Sequence, residues 1–137
     1  MIDPISDMLT RIRNAAAVKK AEVILPMSKL KYNVATILER EGFLTAVEII
    51  SQPSAKNEAK AFAELRLVLK YQANGQSFIT AINRISRPGR RVYAGKDKLP
   101  VIVNNFGIAI ISTSTGLVTN KEARQKGLGG EVLCSIY

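Results

Sequence analysis

The sequence predicts an α+β fold in which an N-terminal α-β-α-β-β half, residues 1–72, packs on a C-terminal half, residues 73–137, of mainly antiparallel strands with a short helix. Two segments of the first half carry apolar residues at helical spacing. Residues 61–70 alternate between apolar and charged side chains, which is typical of an antiparallel strand with one solvent-exposed face. The second half consists mostly of short apolar segments separated by turn residues.

Cap residues and apolar spacing predict two helices in the first half. The first begins at Asp3-Pro4 and should run to about Val18. Ser28 caps the second, and Gly42 follows its last turn. The buried stripe of the second helix should contain Leu30, Val34, Ile37 and Leu38.

Strands complete the two halves. The first half should contain strands at 22–26, 43–50 and 61–70, with a polar hairpin loop at 51–60. Asn74-Gly75 is a strong turn signal, and the division between the halves is placed there. The second half should contain strands at 78–85, 91–93, 107–112 and 131–137. A short helix from about Asn120 to Lys126 is predicted because Thr119 and Glu122 can form a capping box.

Charge and composition indicate a binding protein. The net charge is +9, and residues 71–137 hold nine basic and only three acidic residues. This balance favours a polyanionic partner, with nucleic acid first and an anionic membrane second. The chain has no histidine, no metal-ligand spacing and no paired acids, so neither an enzyme, a cofactor nor a small-molecule substrate is expected. It has no membrane-spanning segment or signal peptide, and its one cysteine, Cys134, should be buried.

Two basic segments are candidates for phosphate contacts. Four arginines lie within eight residues around a Pro88-Gly89 turn, namely Arg84, Arg87, Arg90 and Arg91. Tyr93 follows two residues after the last of them. Arginine suits phosphate and tyrosine can stack on a base, although a solvated basic loop beside a buried tyrosine is the alternative. A second basic set lies on the short helix and leads into Gly127–Gly130; it comprises Lys121, Arg124 and Lys126.

A run of hydroxyl side chains, Ser112-Thr113-Ser114-Thr115, begins at the end of the strand at 107–112 and precedes Gly116. They could recognise base edges or ribose hydroxyls of an RNA, or they could simply cap a turn and the next helix. A hydrolase using Ser112 or Ser114 and a DNA-binding repressor are the alternatives of other classes. Lys29 and Lys31 lie in the first turn of the second helix, where they either meet a phosphate or are screened by solvent.

Three segments together resemble the small-subunit ribosomal protein eight family, the S-eight family. They are "DPISDMLTRIRNA" at 3–15, "RISRPGRRVY" at 84–93 and "GIAIISTSTGLVTNKEARQKGLGGEVLC" at 107–134. The resemblance implies binding to the central domain of the small-subunit ribosomal RNA (rRNA) during platform assembly. It also implies contacts with neighbouring ribosomal proteins and repression of the messenger RNA of its own operon. A cytoplasmic ribosome is expected, with an organellar ribosome as the alternative.

The resemblance also implies which residues contact RNA. The main contacts would be made by the hydroxyl run and by the glycine-rich turn, namely Ser112, Thr113, Ser114, Gly116, Gly129, Gly130 and Glu131. Tyr93 and the turn from Arg87 to Arg91 match a surface beside them. Ser28, Lys29 and Lys31 match a patch that contacts the RNA backbone. Lys121 and Arg124 complete the predicted set on the evidence of charge alone.

Overall fold

The computed structural model of the chain describes residues 3–54, 57–102 and 106–137, with the backbone alone at 51–54 and 57–62. Its helices and antiparallel sheets confirm the predicted α+β class. By internal contacts the chain forms two units, Asn14–Phe78 and a second unit that joins Ile79–Tyr137 to the residues up to Arg13. The first turns of helix α1 (Pro4–Ala17) therefore belong with the C-terminal residues. The division into folding halves at residue 72 stays a prediction.

The unit Asn14–Phe78 is a three-stranded antiparallel sheet with helix α2 (Lys29–Arg40). The sheet consists of β1 (Glu22–Pro26), β2 (Leu44–Ser54) and β3 (Asn57–Leu69), in the order β1-β3-β2. Leu65, Leu67 and Leu69 are buried on one face of β3, as the alternation predicts.

Two details of this unit differ from the prediction. Leu30, in the first turn of α2, is 43% exposed, and the buried residues of the helix are Val34, Ala35, Ile37 and Leu38. Most of the predicted loop at 51–60 belongs to strands β2 and β3, which end and begin at Ser54 and Asn57. The polar side chains did not reveal this, because ladder hydrogen bonds come from the backbone. Residues 55–56 of that loop lie outside the described residues.

The second unit contains five short strands and helix α3 (Asn120–Lys126). The strands are β4 (Ile82–Arg84), β5 (Tyr93–Ala94), β6 (Ile108–Thr113), β7 (Gly116–Thr119) and β8 (Gly130–Ile136). Their order is β4-β8-β6-β7, and β5 also pairs with β8. The strand predicted at 78–85 is thus too long. The strand predicted at 91–93 shares only Tyr93 with β5, and β7 was not predicted. Cys134 is fully buried, and burial raises the pKa of its thiol to about 12.

An ion pair joins the start of α1 to β4. Arg84 Nε donates to Asp3 Oδ2 at 3.0 Å, and the two side chains are only 6% and 14% exposed. Arg84 Nη1 also donates to the carbonyl of Leu133 in β8, at 2.6 Å. Ser6 Oγ donates to the same Asp3 carboxylate, which caps α1 as predicted. Arg84 therefore has a structural role, and its predicted place among surface arginines is wrong.

Replacement of Asp3 by asparagine should reduce stability in a pH-dependent manner. Burial raises the pKa of Asp3, but hydrogen bonds from Ser6 and Arg84 and the charge of Arg84 outweigh it, so the pKa lies below its ordinary value. A lowered pKa stabilises the fold above the ordinary carboxyl pKa, and this contribution is lost as pH falls through the folded-state pKa. Denaturant unfolding of wild type and Asp3→Asn should differ by about 1–3 kcal/mol near pH 7. The difference should shrink in acid; a difference independent of pH would contradict the assignment.

Candidate nucleic-acid interface

The hydroxyl run forms the tip of a β-hairpin. Thr113 of β6 pairs with Gly116 of β7, so only Ser114 and Thr115 lie in the turn. Ser112 is a strand residue, as the predicted strand at 107–112 requires, and β6 extends one residue further than predicted, to Thr113. Gly116 has a φ of +116°, a backbone conformation that favours glycine. The hairpin thus fixes the positions of all these side chains on one paired ladder.

The hydroxyls of the hairpin divide into two groups. Thr113 Oγ1 donates to the Gly116 carbonyl at 2.7 Å and accepts from the Thr115 amide at 3.2 Å, so it stabilises the turn. Thr119 caps α3. The side chains of Ser112 and Ser114 form no hydrogen bond within the described residues, which leaves both hydroxyls available to a ligand. The capping interpretation is therefore confirmed for Thr113 and Thr119. The RNA-contact interpretation stays a prediction for Ser112 and Ser114.

A cross-strand row brings three predicted site residues together. Glu131 of β8 pairs with Ser112 of β6 on one side and with Tyr93 of β5 on the other. Directly paired residues in an antiparallel sheet project from the same face, so the three side chains are neighbours. Tyr93 is 70% exposed, and the alternative of a buried tyrosine is wrong. Ile111 precedes Ser112 in β6, and Val132 follows Glu131 in β8. Both belong to a buried core that also includes Val118.

The Glu131 carboxylate links this row to the arginine turn. Its Oε2 accepts hydrogen bonds from Ser86 Oγ and from Arg91 Nη1, the latter at 3.1 Å. Ser86 is fully buried, and its Oγ accepts from the Val92 amide at 3.1 Å. Glu131 therefore positions Arg91. Through Ser86 and Arg91 it also attaches the segment between β4 and β5 to β8.

The arginine turn is a tight hairpin. The backbones of Arg87 and Arg90 exchange hydrogen bonds of 3.0 and 2.9 Å across Pro88-Gly89. Arg87, Arg90 and Arg91 are exposed, in contrast to the buried Arg84. Their guanidinium groups are free to reach a polyanion, apart from the single contact of Arg91 with Glu131.

The glycine pair approaches other strands of the same chain. A Cβ at Gly130 would overlap the Ser112 carbonyl oxygen, and a Cβ at Gly129 would lie 2.6 Å from that of Ala94. Both separations are far below van der Waals contact, so no side chain fits at either position. Glycine is therefore needed at both positions because the protein's own backbone approaches closely there.

Helix α3 has the predicted bounds and the predicted capping box of Thr119 and Glu122. The buried Asn120 fixes it, since its side chain donates to the Pro100 carbonyl at 2.8 Å and accepts from the Ala109 amide at 3.1 Å. Arg124 is exposed, and Lys121 is half-buried. The helix directly follows β7, so it begins at the end of the hydroxyl hairpin opposite its tip.

The N-terminal patch lies in the unit Asn14–Phe78. Ser28 Oγ accepts from the Lys31 amide at 3.2 Å, which confirms the predicted helix cap. Lys29 is exposed and Lys31 is half-buried. Neither lysine forms an ion pair in the part of the chain that the structure describes. Two cations therefore face solvent at the positive end of α2.

The described residues contain no cluster of three or more carboxylate, cysteine or histidine side chains that could hold a metal ion. Within the same residues, no helix is both long and apolar enough to cross a membrane.

Comparison with known proteins decides the family. The family model of ribosomal protein S8 matches residues 3–137. The chain belongs to this family. It is 52% identical to the small ribosomal subunit protein uS8 of Caldicellulosiruptor bescii and 49% identical to that of Macrococcus caseolyticus, each over 100% of this chain and 98% of the relative. The same protein of Streptococcus pyogenes is 50% identical over the same shares.

Membership makes the chain a small-subunit ribosomal protein and therefore a structural component of the ribosome and not an enzyme. The resemblance noted in the sequence is confirmed. Sequence reasoning overlooked Ser86, whose hydroxyl connects Glu131 to the arginine turn. Its only signal was a polar residue directly after Ile85, which does not reveal burial.

Replacement of Gly130 by alanine should destabilise the fold. The new methyl group would collide with the Ser112 carbonyl, and relief requires separation of β6 from β8. Overpacking of this kind costs about 1–3 kcal/mol or more in free energy of unfolding. The matched control is Gly95→Ala, because a Cβ there meets nothing within 4 Å. Denaturant unfolding should separate the two variants, and equal stability would contradict the close approach.

Proposed function

We propose that the chain binds small-subunit rRNA through the interface surface, defined as the row of Tyr93, Glu131 and Ser112, the tip of the β6–β7 hairpin and the arginine turn. The observation that carries this proposal is the pairing of Ser112 and Tyr93 with the same residue of β8. It places an uncommitted hydroxyl and an exposed aromatic ring on one face, beside exposed arginines.

Charge supports an RNA partner for this unit. Residues 79–137 hold nine basic and three acidic residues. Of the three acids, Glu131 accepts from Arg91 and Glu122 closes the cap of α3. The excess positive charge can therefore attract phosphates, and counterion release makes such binding dependent on salt.

The side chains on the interface surface suit different parts of an RNA. Ser112 and Ser114 can donate to or accept from base edges and 2′-hydroxyls. Tyr93 can stack on an unpaired base. Arg87 and Arg91 on this surface, and Arg124 of helix α3 outside it, suit phosphates, because the guanidinium fork binds two phosphate oxygens. Glu131 serves to position Arg91 and not to contact phosphate, since like charges repel.

The resemblance extends this proposal. The target is the central domain of small-subunit rRNA, and Ser28, Lys29 and Lys31 contact its backbone from the other unit. Further partners are neighbouring small-subunit ribosomal proteins and the messenger RNA of the chain's own operon, whose translation it represses. The ribosome in question is cytoplasmic, as in the bacteria that supply the relatives above.

The proposal is tested by equilibrium binding to a central-domain rRNA fragment at several salt concentrations, with transfer RNA and duplex DNA as competitors. Tight binding that survives both competitors at physiological salt is the expected result. Weak binding without preference among the three nucleic acids would overturn the proposal.

Ser112→Ala and Ser114→Ala should each weaken binding to the cognate fragment by about two- to tenfold, the value of a single hydrogen bond. The slope of affinity against salt should not change, because no charge is removed. Thr80→Ala is the matched control, since Thr80 is exposed in the same unit and lies outside the interface surface. Equal weakening towards cognate RNA and transfer RNA would contradict a role in specificity.

Arg91→Gln and Arg124→Gln should lower affinity for every RNA and flatten the salt slope by up to about one unit for each phosphate that is no longer neutralised. Arg11→Gln removes the same charge from an exposed position of α1, where Arg11 pairs with Asp7 at 3.1 Å. Its slope should stay close to that of wild type. A flattening of the same size in Arg11→Gln would show that only overall charge matters.

A further inference from the structure

A cleft in the second unit lies between helix α1 and residues 83–88. Helix α1 is not part of the interface surface. The cleft is lined on one side by Ser6, Leu9, Thr10 and Arg13 of α1, and on the other by Asn83, Arg87 and Pro88. The ion pair of Asp3 and Arg84 completes the lining. The volume of the cleft is about 570 Å³, which lies within the range of small-ligand sites.

The walls of the cleft are held rigidly. The Asp3–Arg84 pair closes one end, and at the other end the Arg13 guanidinium donates to the Ile82 carbonyl. The polar residues of α1 recur at spacings of three or four, so they form one stripe of the helix that faces β4. The cleft is thus formed by α1, β4 and the arginine turn of one folded unit.

The chemistry of the lining suits a phosphorylated nucleoside. Three arginines against one aspartate give the lining a net positive charge. Arg87 forms no ion pair within the described residues, and Arg13 has donors beyond the one directed to Ile82. The exposed side chains of Thr10 and Asn83 form no hydrogen bond in the same part of the chain, and the Asn83 amide can both donate and accept. Pro88, which is half-buried, adds apolar surface for a base.

We propose that this cleft holds one nucleotide, with its phosphate between Arg13 and Arg87 and its base against Asn83 and Pro88. The inference rests on the proposed RNA-binding function when the nucleotide belongs to a bound RNA. Arg87 then lies at the border of the cleft and the interface surface, so one RNA strand can occupy both. A free mononucleotide carries the same chemical groups and is the other source of the ligand.

The test uses the full chain and two variants that leave its charge unchanged, Thr10→Ala and Asn83→Ala. Each should weaken binding to the central-domain fragment by about two- to tenfold with an unchanged salt slope. Thr80→Ala is again the control and should bind as wild type does. In wild type, titration with each of the four nucleoside monophosphates should shift the backbone amide resonances of Thr10 and Asn83.

The outcomes separate this inference from the proposed function. If Ser112→Ala weakens RNA binding while Thr10→Ala and Asn83→Ala do not, the cleft is overturned and the proposed function stands. If wild type binds no RNA but mononucleotides shift the two amides, the proposed function fails and the cleft stands as a site for free nucleotides. If neither RNA nor mononucleotides perturb Thr10 and Asn83, the cleft proposal is wrong.

Discussion

The close approach of β8 to its neighbours at Gly129 and Gly130 is the constraint on which the interface surface depends. Without side chains at these positions, the carbonyls of Ala94 and Ser112 can lie against the start of β8. The next residue of β8, Glu131, then pairs with both Tyr93 and Ser112. The glycines act first inside the protein, so any role in RNA binding is at least partly indirect.

Two carboxylates organise the arginines of the second unit in the same way. Asp3 accepts from the Ser6 hydroxyl and the Arg84 guanidinium, and Glu131 accepts from Ser86 and Arg91. The first pair is buried and joins α1 to the sheet, whereas Arg91 remains half exposed. The few acids of this basic unit therefore decide which arginines support the fold and which are available to a polyanion.

Local signals predicted part of this structure well. The cap of α3 needs only Thr119 and Glu122, which are three residues apart, and the prediction was correct. The sequence alone could not show that Arg84 is buried and Arg87 exposed. The burial of Arg84 depends on its ion pair with Asp3, which lies 81 residues earlier. Strand β7 was overlooked for a similar reason, since its four residues become a strand only by pairing with β6. The available and committed hydroxyls were likewise distinguishable only in three dimensions.

The interface surface is built mainly on paired strands, and under the proposed function this limits how it can recognise RNA. Ser112 and Tyr93 are fixed by backbone ladders, so their side chains need little ordering when a ligand binds. The exposed arginines of the turn have long side chains that can adjust to phosphates. Such a surface favours an RNA whose unpaired bases and hydroxyls already have the matching arrangement, because the protein backbone cannot move far to meet them. The strand residues then select the shape of the RNA, and the flexible arginine side chains can accommodate different positions of its phosphates.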